Sequence, residues 1–326
     1  MRTLPHPVPI TLCLVAALRC LSPSGAIAHE RDEFWIINTR YVNETSVRAH
    51  GAEALRFQKR DENGSARASA ADEFYASLDP SVPVVVYIHG NRCDYCTAIR
   101  EGYVVHQVAR CRSDEIPCRF VVWSWPSEEI PGGPRHDVQV KASRSDVQSY
   151  YLARWLESMD PGIPVGMIGY SFGSRIIGGA LELLGGGCVA GRALDRAEER
   201  PRRLRAVFIA AAMDFHWLAP CRRDGLALEQ SDGILVTKNA CDPVLRWYPL
   251  MYQGCRGNEA LGYVGPSSST YGGVAAQRLR VLDVSGQVGK SHSWRDYLRS
   301  PTLRHYLAHY LYLEPIASDE RLTRAP

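Results

Sequence analysis

Residues 163–175 read IPVGMIGYSFGSR and place Ser171 between two glycines, directly after a short apolar run and directly before the stretch IIGGALELL. A continuous apolar run of this length favours a buried strand, and the residues that follow repeat apolar side chains at helical spacing. The pattern therefore predicts a strand, a sharp turn at Ser171 and a helix over 172–184. Glycines two residues before and two after the serine would relieve crowding in such a turn, so that its hydroxyl projects above a sheet.

The same alternation of strand and helix patterns continues on both sides of this turn. Further buried strands are predicted at VPVVVYIHG (82–90), CRFVVWSWP (118–126), LRAVFIAAA (204–212), GILVTKN (233–239) and RLRVLDVS (278–285), after opening strands at 34–40 and 55–59. Helices are predicted around 97–110, from Ser145 to Met159, and over 294–313. Strands that alternate with helices predict an α/β fold, with a doubly wound, mostly parallel sheet.

The N-terminus has the features of a secretory signal peptide. A basic start and a short apolar run precede the small residues Ala26 and Ala28, which predicts cleavage after Ala28 and a secreted or periplasmic protein. A membrane anchor is disfavoured because Arg19 interrupts a run far shorter than the roughly 20 residues of a spanning helix. We therefore expect 1–28 to be a signal peptide and 29–326 a single domain without stable membrane insertion.

Composition limits the classes of partner. The chain is 45% hydrophobic and 22% charged, with a formal charge of +3, as expected for a globular protein with one sizeable core. Removal of 1–28 takes away Arg2 and Arg19 and no acidic residue, so the charge falls from +3 to +1. This balance gives no reason to expect nucleic acid or an anionic membrane as a partner.

The number of cysteines agrees with export. Eight cysteines follow the signal peptide: Cys93, Cys96, Cys111, Cys118, Cys188, Cys221, Cys241 and Cys255. An even number in an exported chain predicts disulfides, whose pairing stays open. The CDYC stretch at 93–96 also has the spacing of a thiol-disulfide redox site, although a structural bridge is favoured there.

Four motifs together resemble a known superfamily: YIHGNR, WSWPS, GYSFGSR and KNACDPVL. They resemble the α/β-hydrolase superfamily over about 82–313 and, more narrowly, a group of bacterial predicted hydrolases of unknown function that includes secreted members. The resemblance implies an α/β-hydrolase fold in which Ser171 is the nucleophile. It also implies a triad in the chain order Ser, Asp or Glu, His, with each residue at the carboxyl end of a strand. The resemblance to the narrower group implies no particular substrate.

The chain offers partners for Ser171. A serine hydroxyl needs a base, usually histidine, and His292 lies between the last strand and the last helix, where the superfamily has its base. Asp242, which follows the strand GILVTKN, is the favoured acid, and Asp214 in AAAMDFHW is the alternative. Either aspartate could instead cap a helix.

Acyl transfer also requires hydrogen-bond donors for a developing oxyanion. One donor is expected to be the backbone N–H of Phe172, and the other that of Asn91 or Arg92. A disulfide that involves Cys93 or Cys96 would hold this second loop rigid.

These residues predict a secreted serine hydrolase of esterase or lipase type that acts on a small-molecule or lipid-like acyl substrate. A catalytically silent binding module and thiol-disulfide activity at CDYC are the alternatives. No H-E-x-x-H, G-x-G-x-x-G or P-loop motif occurs, so neither a metal nor a cofactor is expected. Aromatic residues in the segments 215–231 and 243–277 either form a cap over the site or pack in the ordinary way: Trp217, Trp247, Tyr248, Tyr252 and Tyr263.

Overall fold

The computed structural model describes residues 32–42, 55–61, 64–110, 116–195, 202–252, 257–266, 277–312 and 323–324. The expected signal peptide therefore lies outside the described residues, as do Cys111 and Cys255. Among the helices that are described, none is long and apolar enough to cross a membrane.

Ten described strands form one sheet. They are β1 (Glu33–Asn38), β2 (Arg56–Arg60), β3 (Ala66–Ser69), β4 (Val84–Ile88), β5 (Arg119–Ser124), β6 (Val165–Tyr170), β7 (Leu204–Ile209), β8 (Gly233–Lys238), β9 (Leu279–Asp283) and β10 (Thr323–Arg324). Their order is β10-β9-β8-β7-β6-β4-β5-β1-β2-β3. All pairings from β9 to β1 are parallel, whereas β2, β3 and β10 are antiparallel at the two edges. The predicted α/β fold with a mostly parallel sheet is confirmed.

Helices cover both faces of the sheet. They are α1 (Ala71–Ala76), α2 (Tyr95–Arg110), α3 (Gly133–Glu157), α4 (Phe172–Leu184), α5 (Tyr248–Tyr252), α6 (Leu261–Val264), α7 (Ser285–Val288), α8 (Trp294–Arg299) and α9 (Pro301–Leu311), with a 3₁₀ turn at Leu245–Trp247. Residues three apart on a strand point to opposite faces. A Cβ at Gly166 would lie 2.2 Å from the carbonyl oxygen of Leu311 in α9, and one at Gly169 would lie 2.5 Å from the backbone nitrogen of Ser174 in α4. Helices α9 and α4 therefore pack on opposite faces, with α2 beside α9 and α3 beside α4.

Two helices differ from the sequence prediction. Helix α3 begins at Gly133 rather than near Ser145, because its first turns are mostly exposed and lack the apolar spacing that marks the later turns. The final helix is two helices, since Pro301 starts α9 and the hydroxyl of Ser300 accepts a hydrogen bond from the backbone of Leu303. Proline has no N–H to continue α8, and a serine cap fits the start of a new helix.

The chain segment that connects β7 to β8 carries a buried carboxyl group. The side chain of Asp224 is fully buried, and neither of its oxygens has a hydrogen-bond partner among the described residues. Nε of Arg223 lies 3.8 Å from one of these oxygens. Burial raises the pKa of Asp224 from 3.8 to about 7, because the charged form loses its hydration.

The raised pKa of Asp224 predicts how stability depends on pH. Between pH values of about 4 and about 7 the folded chain retains a proton that the unfolded chain has released, so the contribution of Asp224 to stability decreases as the pH rises. Asp224→Asn preserves the shape of the neutral acid and removes the titration. The free energy of unfolding of the variant, relative to that of wild type, should increase by on the order of a few kcal/mol as the pH rises through this range. Urea unfolding at several pH values measures this, and a difference independent of pH would contradict it.

Candidate active site

Ser171 lies at the turn between β6 and α4. Its backbone has φ 53° and ψ −110°, a conformation that is rare for a residue with a Cβ. A Cβ at Gly173 would lie 2.1 Å from the carbonyl oxygen of Ile88, and one at Gly169 would meet α4, as described above. Both glycines are therefore required by close approach of neighbouring backbone, as the sequence predicts.

The structure brings three of the predicted site residues together. Nε2 of His292 lies 3.3 Å from Oγ of Ser171. Nδ1 of the same ring lies 2.7 Å from Oδ2 of Asp242. Ser171 and Asp242 are buried, so both contacts are largely shielded from water.

Both carboxylate oxygens of Asp242 are hydrogen bonded. Oδ1 accepts from the backbone N–H groups of Val244 and Leu245, at 2.9 and 3.0 Å. Oδ2 accepts from the hydroxyl of Tyr297 at 2.8 Å, in addition to its contact with His292. Burial raises the pKa of Tyr297, which keeps its hydroxyl protonated and able to donate. The carboxylate is thus fixed in position beside the imidazole.

Asp214 has different partners. Its Oδ1 accepts from the hydroxyl of Tyr248 at 2.7 Å, and its Oδ2 accepts from the side-chain amide of Asn258 at 3.0 Å. Both partners lie in the segment that follows β8. In this structure Asp214 therefore connects β7 to that segment, and Asp242 is the aspartate that contacts His292.

Two residues that the sequence did not identify hold the loop of His292. The hydroxyl of Tyr170 donates to the backbone carbonyl of His292 at 2.6 Å, and burial raises the pKa of Tyr170. The side-chain amide of Asn239 donates to the carbonyls of Gly289 and Ser291, at 2.9 and 3.3 Å. No sequence motif marks either residue as a loop anchor, although both lie directly beside predicted site residues or strand ends.

The two candidate oxyanion donors after β4 differ in availability. The backbone N–H of Arg92 donates to the carbonyl of Ser127 at 2.7 Å. The backbone N–H of Asn91 has no acceptor among the described residues, and its side-chain amide donates to Asp137 at 2.9 Å. Burial opposes ionisation of Asp137, but hydrogen bonds from Lys141 and Asn91 lower its pKa. Asn91 is therefore the candidate whose N–H remains available.

The predicted disulfides are absent among the described cysteines. All six of those cysteines are free thiols, including Cys93 and Cys96, so the expected bridge in the CDYC stretch is wrong. Its loop is held instead by Ser127, whose hydroxyl accepts from the backbone N–H of Cys93 at 3.2 Å. Burial, together with the nearby Glu101, raises the pKa of Cys93, which is the opposite of what a redox thiolate requires.

The surroundings of His89 keep its ring neutral and hold it in place. It is buried, and its Nε2 accepts from the backbone N–H of Trp125 at 3.2 Å. Burial lowers the pKa of His89 to about 3, so the ring stays neutral. His305 and His309 lie in α9, which packs on the face of the sheet opposite to α4.

A mostly apolar pocket opens at Ser171. Its volume is about 310 Å³, close to the lower limit for small-ligand pockets. It is lined by Asn91, Arg92, Pro134, Val138, Tyr170, Ser171, Phe172, Ala212, Val244, Leu245, Tyr248, Met251 and His292.

The described part of the segment 243–277 contributes to the pocket. Residues 244–251 form one wall, which Tyr248 lines, and the side chain of Tyr252 lies outside the described residues. The ring of Trp217 instead contacts the guanidinium groups of Arg175 and Arg223, which lie 4.6 and 4.2 Å from its centroid. Ordinary packing therefore explains Trp217, while the segment after β8 covers the site.

Comparisons with known proteins give little further guidance. No family model matches the chain, and no curated protein matches it. Among solved structures the chain is similar to TT1662 from Thermus thermophilus, with a TM-score of 0.38 and 11% identity, over 80% of this chain and 96% of that one. Similarity this low carries no argument about function.

Proposed function

We propose that this chain is a serine hydrolase of the α/β-hydrolase type that cleaves ester or related acyl bonds. The observation that carries the proposal is the chain of contacts from Ser171 through His292 to Asp242, at the floor of an apolar pocket. The basic start and short apolar run of residues 1–28 support export of the protein before it acts.

The proposal gives each of the three side chains a role that agrees with these contacts. Nδ1–H of His292 donates to Asp242, which leaves Nε2 as the acceptor for the proton of Ser171. As Oγ attacks an acyl carbon, the imidazole takes this proton, and Asp242 stabilises the resulting imidazolium. The same proton then passes to the leaving alcohol. A water molecule next attacks the acyl-enzyme by the same steps, which releases the acid and restores Ser171.

In this proposal two backbone N–H groups stabilise the oxyanion. Phe172 is the first residue of α4, and a backbone N–H at this position has no partner within its own helix. Asn91 presents its free N–H from the loop after β4. The positive end of the α4 dipole adds to the stabilisation of negative charge at this point.

The pocket supports an apolar acyl group as the substrate. Its lining beyond Ser171 is largely aliphatic and aromatic, with Val138 on one wall and Leu245 and Met251 on the other. Because apolar surface gains free energy on leaving water, an alkyl chain bound here would contribute to binding in proportion to its length until the pocket is filled.

Hydrolysis of p-nitrophenyl esters tests the proposal. Ser171→Ala should reduce kcat/KM by at least about a thousandfold, because the nucleophile is lost while the pocket remains. Ser143→Ala alters an exposed hydroxyl on α3 and serves as the control. A folded wild-type protein without esterase activity would instead favour the silent binding module.

The choice of acid is tested with a matched pair of variants. Asp242→Asn should lower kcat on the order of 10⁴-fold, since an amide cannot stabilise the imidazolium or fix the required tautomer. Asp214→Asn preserves the shape of a residue that contacts Tyr248 and Asn258 rather than the imidazole, so its kcat should remain within about tenfold of wild type. Steady-state kinetics that show the reverse order would assign the acid to Asp214.

The acyl pocket is tested by narrowing it. Val138→Trp should lower kcat/KM for octanoate esters much more than for acetate esters, because the larger side chain occupies the volume of a long acyl group. Val104→Trp changes a valine of α2 that is exposed and remote from the pocket, and it should leave the ratio unchanged. An unchanged ratio in Val138→Trp would show that the acyl group binds elsewhere.

A further inference from the structure

Three side chains with metal-binding chemistry meet at the amino edge of the sheet. Asp32 immediately precedes β1, His106 lies in α2 and Cys118 immediately precedes β5. Each offers one ligand atom, and the three atoms all lie within 4.8 Å of one another. Asp32 is distant in the sequence from the other two residues, so the fold is needed to complete the cluster, and no sequence motif indicates it.

Two of the three residues, Asp32 and His106, present ligand atoms that form no hydrogen bond among the described residues. Oδ2 of Asp32 and both ring nitrogens of His106 are buried and have no hydrogen-bond partner among the described residues. Nε2 of His106 lies 3.4 Å from Oδ2 of Asp32, yet the two atoms do not form a hydrogen bond. Oδ2 of Asp32 has the guanidinium of Arg110 beside it, whereas the buried imidazole of His106 has no hydrogen-bond partner among the described residues. Buried polar groups are nearly always satisfied, so the imidazole indicates a ligand at this position.

Neighbouring contacts orient the cluster. The backbone N–H of Cys118 donates to Oδ1 of Asp32 at 2.9 Å, which leaves Oδ2 directed towards the imidazole. The hydroxyl of Tyr312 lies 3.8 Å from Sγ of Cys118 and donates to it. The ring of His106 packs against Phe120, with ring centroids 4.9 Å apart. Supporting contacts of this kind hold the ligands of a metal site in place.

We propose that Asp32, His106 and Cys118 bind a zinc ion. A thiolate, an imidazole and a carboxylate form a ligand set that suits Zn²⁺, and three protein ligands leave a fourth position for water. The positive charge of the ion would balance the negative charges of Asp32 and Cys118. Arg110, whose Nε lies 3.1 Å from Oδ2 of Asp32, would stay beside the carboxylate. Zinc binds the thiolate form of cysteine, so metal binding at Cys118 would release the thiol proton.

The site is separate from the proposed catalytic serine. It lies at the amino ends of β1 and β5, whereas Ser171 follows the carboxyl end of β6 in the same parallel sheet. Binding would connect the first strand to α2 and to the centre of the sheet. Metal bound only by the folded state stabilises it, so the ion would hold the N-terminal part of the domain in place.

Elemental analysis and cobalt substitution test the site directly. Protein purified without chelators or a polyhistidine tag should contain about one zinc per chain. After replacement of zinc by Co²⁺, a thiolate-to-cobalt charge-transfer band should appear in the near ultraviolet. The band should disappear in Cys118→Ser and persist in Cys188→Ser, which changes an exposed thiol.

A second variant covers the case in which Cys118→Ser does not fold. His106→Gln retains the thiolate and should weaken Co²⁺ binding by at least about tenfold. A chelator should also lower the melting temperature of the wild type and not that of His106→Gln. The proposal is overturned if folded wild-type protein neither contains zinc nor develops the band with Co²⁺, or if the band persists in Cys118→Ser.

Discussion

The strained backbone of Ser171 is the constraint on which the site depends. A residue with a Cβ adopts φ 53° only where the surrounding structure enforces it. Here the N–H of Ser171 donates to the carbonyl of Ile209 at 2.8 Å, and its carbonyl accepts from Ala212 at 3.3 Å. The absence of side chains at Gly169 and Gly173 allows the neighbouring backbone to close around the turn. These backbone hydrogen bonds and close approaches therefore hold the hydroxyl above the sheet.

The parallel sheet then determines which residues can reach that hydroxyl. Strands β6, β8 and β9 run in the same direction, so the loops after them emerge at one edge. The loops after β8 and β9 carry Asp242 and His292, which are 50 residues apart in sequence and in direct contact. Tyr170 and Tyr297 connect these loops to the strand and helix beside them. Rigid elements thus support each side chain that the proposed chemistry uses.

The sequence predicts most of this fold because the buried strands are continuous apolar runs and the turn at Ser171 has a distinctive pattern. It could not choose firmly between Asp242 and Asp214, since both follow a strand and only side-chain contacts distinguish them. An even number of cysteines carries no information about distances, which is why the expected bridge at Cys93 is wrong. The cluster around His106 was missed because its members come from three separate elements.

A single covalent labelling experiment tests the central claim, which is that the environment of Ser171 makes its hydroxyl a nucleophile. A fluorophosphonate reacts with a serine that has both a base and an oxyanion site. Intact mass analysis should show one adduct per chain, and peptide mapping should assign the adduct to Ser171, with none formed in Ser171→Ala. Folded protein that remains unlabelled, or that is labelled equally in Ser171→Ala, would contradict the claim.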